Sequence, residues 1–393
     1  MLRLAARGDG VTGDGRHVAL AAPGDLAQLD GTVLPGPHHA IPPCRHFPRC
    51  GGCQLQHVDD TAYRDFLVDR VAGALAAQGL SRPELREPHL SPPRTRRRAS
   101  LRAERVGHRV LLGFNEGASH RIVDMRECHI LLPELFALVE PVRELLRLLL
   151  PPRRSGEVRM TAVDQGVDLL LSGIAVEGFA AMEALTAFAE QHRLARLSID
   201  EGYGAETRWE PEPATVTLGG VAVAIPPAGF LQATRDGEAA LQAAVVEAIG
   251  PAETVVDLFA GLGTFSLPLA RSARVLAVEG ARDAAVALTG AARRTGLSLL
   301  VEHRDLFRRP LDGKELGRFA GIVLDPPRAG AKEQMPALAA SDAGRLAYVS
   351  CNPATFARDV ATLLAGGWRI EWVRPIGQFR WSTQVELVAA LVR

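Results

Sequence analysis

Between residues 254 and 350, five short apolar runs recur, and each stops at or just before a residue whose side chain carries chemistry. Residues 254–256 stop at Asp257 and 274–278 at Glu279. Residues 299–302 stop shortly before Asp305, 321–324 at Asp325, and 346–349 shortly before Cys351. Short apolar runs separated by stretches of helical period mark buried parallel strands joined by crossovers. Two further runs, 368–374 and 385–392, bring the count to seven. An open α/β sheet binds ligands at the carboxyl ends of its strands. The pattern therefore predicts a seven-stranded α/β sheet with a row of acids and one thiol along a single edge.

Cys351 sits in Ser350-Cys351-Asn352-Pro353. Pro353 cannot continue a ladder and biases Asn352 to an extended form, so the strand ends there. Two roles are open to Cys351 at this level: a nucleophile, or a small buried hydrophobe. The first strand leads into Asp257-Leu-Phe-Ala-Gly-Leu-Gly263, a glycine-rich turn opening a helix. Glu279 follows 22 positions after Asp257, the spacing at which an acid reaches a ribose hydroxyl in nucleotide-binding folds. Ser266 stands where the dinucleotide fingerprint has its third glycine, which disfavours NAD. Upstream, Gly229-Phe-Leu-Gln-Ala-Thr234 precedes a helix predicted over 236–249.

A chain of 393 residues allows two or three domains, and an apolar fraction of 47% fills full-sized cores. No apolar run approaches the length of a membrane span, and the first residues lack a signal-peptide core, which points to a cytoplasmic protein. The net charge is zero, but Arg94 to Arg105 holds six arginines in twelve residues. Such a run is either a solvated face or a contact for RNA phosphates, and its nearness to the cysteine loop favours RNA. Residues 1–42 read as a small β module or a flexible lead-in, with strands over 18–20 and 27–33. A helix is predicted over 60–78. Residues 134–225 read as an α+β segment with helices at 134–150 and 179–192 and strands at 167–172 and 216–225.

The five cysteines divide four and one. Cys44, Cys50 and Cys53 fall in Cys-x5-Cys-Gly-Gly-Cys, Cys128 lies far downstream, and Cys351 stands apart. An odd count argues against a disulfide framework and for metal or catalysis. All-cysteine ligation suits zinc or an iron–sulfur cluster, and three close thiols with one distant look more like [4Fe–4S]. His46 and His57 are alternative zinc donors, or plain loop histidines.

Taken together, these motifs resemble the S-adenosylmethionine-dependent RNA uracil-C5 methyltransferases, in particular the bacterial 23S ribosomal RNA branch that carries a [4Fe–4S] cluster. The resemblance rests on the cysteine loop with Gln56, Cys128, Asp-Leu-Phe-x-Gly-x-Gly at 257–263, Asp-Pro-Pro-Arg at 325–328, Ser-Cys-Asn-Pro at 350–353, and Glu386. It implies a Rossmann-like class I methyltransferase domain over 226–393, a central iron–sulfur and RNA-binding domain over 43–225, and a truncated TRAM-like β module over 1–42. It implies Cys351 as nucleophile and Glu386 as base, and Cys44, Cys50, Cys53 and Cys128 as cluster ligands. It places Gln232, Phe259, Thr264, Glu279, Asp305 and Asp325 around S-adenosylmethionine. Thr264 stands where Asn is common and Gln384 where His is usual, two before the base. A monomer acting on 23S rRNA is expected, with a tRNA substrate or a non-catalytic ribosome-assembly role as alternatives.

Overall fold

The computed structural model describes residues 1–28 and 30–393. Seven strands build the main sheet in the order Leu299–His303, Arg274–Glu279, Thr254–Leu258, Gly321–Leu324, Arg345–Ser350, Glu386–Val392, Arg369–Gly377. The first five pair in parallel; Glu386–Val392 runs antiparallel to both neighbours. The seven predicted runs thus become the seven strands of a Rossmann-like α/β sheet. Two short strands, Glu84–Leu85 and His89–Leu90, extend it by pairing with Arg369–Gly377. Residues this short and polar give no periodic signal of their own.

The helix Asp60–Ala77 forms as its spacing predicts, capped by Asp59, whose side chain accepts from the Ala62 amide. Val71 and Leu75 on its buried face join the core around Tyr348, Phe356 and Leu387. Tyr63, Phe66 and Leu67 on the same face pack against Leu4, Leu55 and Val385. One helix therefore ties the N-terminal module and the cysteine loop to the main sheet.

The central segment holds a second sheet, in the order Glu206–Trp209, Arg196–Asp200, Gly166–Ser172, Ser155–Val163, Arg98–Val106, Arg109–Gly113. Helices Val139–Leu149 and Phe179–Gln191 cover one face, through Val142, Leu146, Leu185 and Phe188. Three strands here, Ser155–Val163, Arg196–Asp200 and Glu206–Trp209, went unpredicted because charged residues interrupt their apolar pattern. The single helix expected over 134–150 is two, Pro133–Ala137 and Val139–Leu149, broken at Leu138. The single strand expected over 216–225 is a hairpin, Thr215–Leu218 with Val221–Ala224. Gly219 and Gly220, both at positive φ, make its two-residue turn.

In the N-terminal module Arg3–Leu4, Gly10–Val11 and His17–Val18 form one small sheet, and Leu26–Ala27 pairs with Val33–Leu34. The strand expected over 27–33 is therefore split into two arms of a hairpin; Leu29 lies outside the described residues. So thin a module is held by polar groups: the fully buried Asp25 carboxylate accepts from the amides of Ala22 and Gly36 and pairs with His39.

Arg97 and Glu238 form a buried ion pair that crosses from the central sheet to the helix Arg235–Ile249. Removing one partner strands a buried charge. Glu238→Gln is expected to lower unfolding free energy by about 3 kcal/mol, and Arg97→Met with Glu238→Leu to recover most of it, as read by denaturant titration. Equal stability of Glu238→Gln and the parent would contradict this.

Candidate active site

Strand register explains why distant residues meet. Ser350 pairs with Leu387, so one step further the antiparallel ladder sets Cys351 opposite Glu386. Leu324 pairs with both Leu258 and Tyr348, which sets Asp325 between Phe259 and the end of the Cys351 strand. Leu258 pairs with Val278, which brings Phe259 beside Glu279. Because Glu386–Val392 is antiparallel, its amino end shares the edge formed by the carboxyl ends of the others.

Glu386 is only 5% exposed. Burial pushes its carboxyl up to about 7, against the pull of a hydrogen bond from Gln378 and the charges of Arg98 and Arg328. Asp325 is held well above the usual carboxylate range by burial and by the charges of Glu386 and Asp257. Burial also raises the Cys351 thiol, and Glu386 and Asp325 raise it further; Arg328 opposes them. The resting thiol is thus protonated, with Glu386 and Asp325 near enough for their charges to act on it. Arg328 is fixed by its Nη2 donating to Gln384 Oε1 at 2.8 Å. Its carbonyl accepts from Asn352 Nδ2 and Thr355 Oγ1, which ties the Asp-Pro-Pro-Arg loop to the Cys351 turn. The buried Asp359 braces the same loop by accepting from the Ala331 amide and the Tyr348 hydroxyl.

Of the remaining predicted residues, Phe259, Thr264 and Glu279 lie at the glycine-rich turn, Asp305 follows the next strand, and Gln232 sits on the Gln378 side. Phe259 adopts φ +65°, a left-handed conformation rare for an aromatic residue, and its ring packs on Phe307 at 5.4 Å. Glu279 accepts from the amides of Gly261 and Ala281, so the acid secures the turn as well as facing its mouth. Asp305 accepts from the Phe307 amide and remains half-exposed. Gln232 Oε1 accepts from Gln378 Nε2, and Gln378 Oε1 accepts from the Ala233 amide. The Thr264 carbonyl accepts from Gln242. Asp257 is fully buried, its carboxyl raised to about 7 by burial despite the Ser266 hydroxyl on one oxygen. Its other oxygen has no partner. At Gly261, φ is +56° and a Cβ would meet nothing within 4 Å. An orphaned buried carboxylate oxygen beside an open glycine turn suits a ligand carrying both a cationic group and polar groups for amides.

Comparison with known proteins decides the family. Residues 238–393 match the model described as tRNA (uracil-5-)-methyltransferase. An uncharacterized RNA methyltransferase of Zymomonas mobilis is 52% identical over all of this chain and 99% of its own. The 23S rRNA (uracil(1939)-C(5))-methyltransferase RlmD of Halomonas elongata is 33% identical over 93% of this chain and 80% of its own. The chain belongs to the RNA uracil-C5 methyltransferase family. The Pyrococcus abyssi tRNA (uracil-54, C5)-methyltransferase, solved with S-adenosyl-L-homocysteine, superposes over 100% of this chain and 98% of its own with a TM-score of 0.76 at 21% identity, a likeness of fold. The protein is accordingly an S-adenosylmethionine-dependent RNA methyltransferase. No helix among the described residues is long and apolar enough to cross a membrane.

In this methyltransferase the cysteine loop packs beside the site. Cys50, Cys53 and Cys128 line one cavity with Phe114, Val123, Met125 and Ile130. Cys44 lies near enough for its charge to act on all three. Burial pushes the Cys53 thiol up to about 12. The expected ligand geometry is not formed: among the described residues no three His, Cys, Asp or Glu side chains are arranged to hold a metal ion. His46 lies in the loop, partly exposed, as one of the two readings had it, and accepts from the Arg126 amide; His57 also lies in a turn but is buried, with both ring nitrogens unpaired. The loop instead grips the catalytic sheet. The amides of Gln54 and Leu55 both donate to the Trp381 carbonyl, and the Tyr63 hydroxyl donates to the carbonyls of Phe379 and Ser382. That stretch, 378–385, leads directly into Glu386.

The arginine run is neither wholly solvated nor wholly free. Arg97 is buried in its ion pair, whereas Arg98 is partly exposed and its charge reaches Glu386. Sequence reasoning missed Gln378, Asp359 and the role of Asp257. Each acts through burial and partners rather than through a local motif; only Asp257 carried a signal, as the acid ending a strand.

Proposed function

We propose that the protein methylates C5 of a uridine in RNA through a transient Cys351–C6 bond resolved by Glu386. The ladder register that sets the thiol opposite the buried carboxylate carries the reading. Uracil C5 is a poor nucleophile. Cys351 sulfur adds to C6 as its proton passes to a neighbouring carboxylate, and the electron pair makes C5 enolate-like. S-adenosylmethionine supplies the electrophilic methyl group. Glu386 then takes the C5 proton, the C5–C6 double bond re-forms, and the C6–S bond breaks to return the thiol. Reaching C6 requires the nucleotide to leave its stack, which favours a loop or single strand.

For the cofactor, Asp257, Glu279 and the Gly261 turn supply the fit, with Gln232, Phe259, Thr264, Asp305 and Asp325 around them. The acids along this edge favour a cationic sulfonium. For the thiols, three cysteines on one largely apolar cavity with a fourth, Cys44, close by are the donor set of a [4Fe–4S] group, held by Cys44, Cys50, Cys53 and Cys128. Its contribution is to fix the loop that braces 378–385. Protein purified without oxygen is expected to be brown, with iron and sulfide in equal amounts, and Cys128→Ser to lose the colour and unfold at lower temperature. Zinc in place of iron, or unchanged stability of Cys128→Ser, would overturn the assignment.

The target is 23S rRNA on this reading, with RlmD as the relative that supports it. Mass mapping of 5-methyluridine in RNA from cells with and without the gene tests this. Loss of the mark from tRNA alone would move the substrate, and no methyl transfer to any RNA would favour a non-catalytic RNA-binding role.

A further inference from the structure

The face of the central sheet left uncovered by its helices borders a groove of about 280 Å³, whose other wall is the turn at Ala228 and Gly229. Strand alternation sends Arg98 and Ser100 to this face from one strand and Glu157, Arg159 and Thr161 from its neighbour, with Arg96 at one end. Five charged side chains line it, but they are not equally free. Asp168 is held by both forks of Arg196, at 2.9 and 2.7 Å, in a buried pair that consumes its charge. Glu157 accepts from Ser100 and from Arg159. Arg96 and Arg98 have no carboxylate within ion-pair reach among the described residues; each donates to a carbonyl instead, Arg96 to Arg98 and Arg98 to Leu231. Arg98 is further fixed with its guanidinium 4.8 Å from the centre of the Phe230 ring. With Asp168 neutralised by Arg196, three arginines meet one remaining carboxylate, Glu157, which also faces Arg102 from outside the groove.

The groove is linked to the reaction centre through one short chain of contacts. Leu231, which fixes Arg98, precedes Gln232, and Gln232 bonds Gln378, the partner of Glu386. Arg98 joins the two, lining the groove while its charge acts on Glu386. A cationic trough of this kind matches the evenly charged backbone of a single strand.

We propose that this groove carries the RNA strand on one side of the target uridine, with backbone phosphates on Arg98 and Arg159. This rests on the methylation reading above. Arg159 is the informative position, because it contacts no catalytic group. With fluorescein-labelled oligouridylate and the cofactor-loaded protein, Arg159→Gln is expected to weaken binding roughly tenfold. It should also lower the slope of log K against log salt by about 0.7, the share of one phosphate on a single strand. Arg159→Lys should restore the slope. Glu157→Gln should do the reverse of Arg159→Gln, tightening binding, because it releases Arg159 from its only carboxylate; a purely structural role predicts no gain. The kcat at saturating RNA and the affinity for S-adenosylmethionine should stay unchanged in all three. Wild-type affinity and slope in both Arg159→Gln and Glu157→Gln would overturn the groove assignment, as would polyglutamate binding as tightly as the oligouridylate. Failure of the methylation reading is distinct: wild type would then transfer no methyl to any RNA while the variants still shifted binding.

Discussion

Cys351→Ala is expected to lose methyl transfer by on the order of 10⁶-fold, the scale on which removal of a covalent nucleophile is felt. The same variant should bind S-adenosylmethionine with near parental affinity. The separation follows from where the side chain sits. Cys351 lies at the tip of Arg345–Ser350, opposite Glu386, whereas the glycine-rich turn and Glu279 are carried by strands two and three places along the sheet, beyond Gly321–Leu324. Alanine leaves the turn intact: the Asn352 side chain still caps the following helix by accepting from the Ala354 amide, and Ser350 still bonds the Asn352 amide. The measurement is transfer of labelled methyl to RNA beside calorimetric titration of the cofactor. Turnover by Cys351→Ala at the parental rate would sink covalent catalysis. Loss of cofactor affinity in step with turnover would reassign Cys351 to the cofactor pocket.

How far the sequence leads depends on how local the cause is. The catalytic sheet was legible because each strand is a short apolar run with its own stop, and the row of acids fell at those stops. Its edge strands Glu84–Leu85 and His89–Leu90 were not, since two polar-flanked residues acquire strand geometry only by pairing with Arg369–Gly377. The central sheet was half legible for a related reason. On Ser155–Val163 the outward positions hold Glu157, Arg159 and Thr161, and these groove residues obscure the apolar alternation that would announce the strand. Function and legibility work against each other there. Motifs supply candidate site residues but not their protonation: Asp257 and Glu386 owe their raised carboxyls to burial, which only the packed structure supplies. The grip of the cysteine loop on Trp381 was equally invisible, because it is made of backbone hydrogen bonds between stretches more than three hundred residues apart.

Glu386→Gln is expected to convert the enzyme into one that traps its own substrate. If Glu386 takes the C5 proton, a glutamine that cannot accept it leaves the methylated base bonded to Cys351, and a protein–RNA adduct should survive a denaturing gel while released product falls by about 10²–10⁴-fold. The carboxyl at about 7 also sets the pH dependence. Below that value the base is increasingly protonated, so turnover in the parent should fall about tenfold per pH unit, and the single-turnover rate of adduct formation in Glu386→Gln should lack that limb. Stability runs the other way. A carboxyl raised from 4.5 to about 7 favours the folded state while protonated, and that advantage is lost as pH rises through 7. The cost of ionising it in place is on the order of 3 kcal/mol, so cofactor-free Glu386→Gln should melt higher than the parent at pH 8 and alike only below the unfolded value of 4.5. An adduct seen with Asp325→Asn and not with Glu386→Gln would give the base to Asp325, whose carboxyl is raised by the same burial and by Glu386 itself. Higher melting of Glu386→Gln without any adduct would leave Glu386 a buried acid beside the site, holding Gln378 and facing Arg98, and would place the proton acceptor on another group of the same edge.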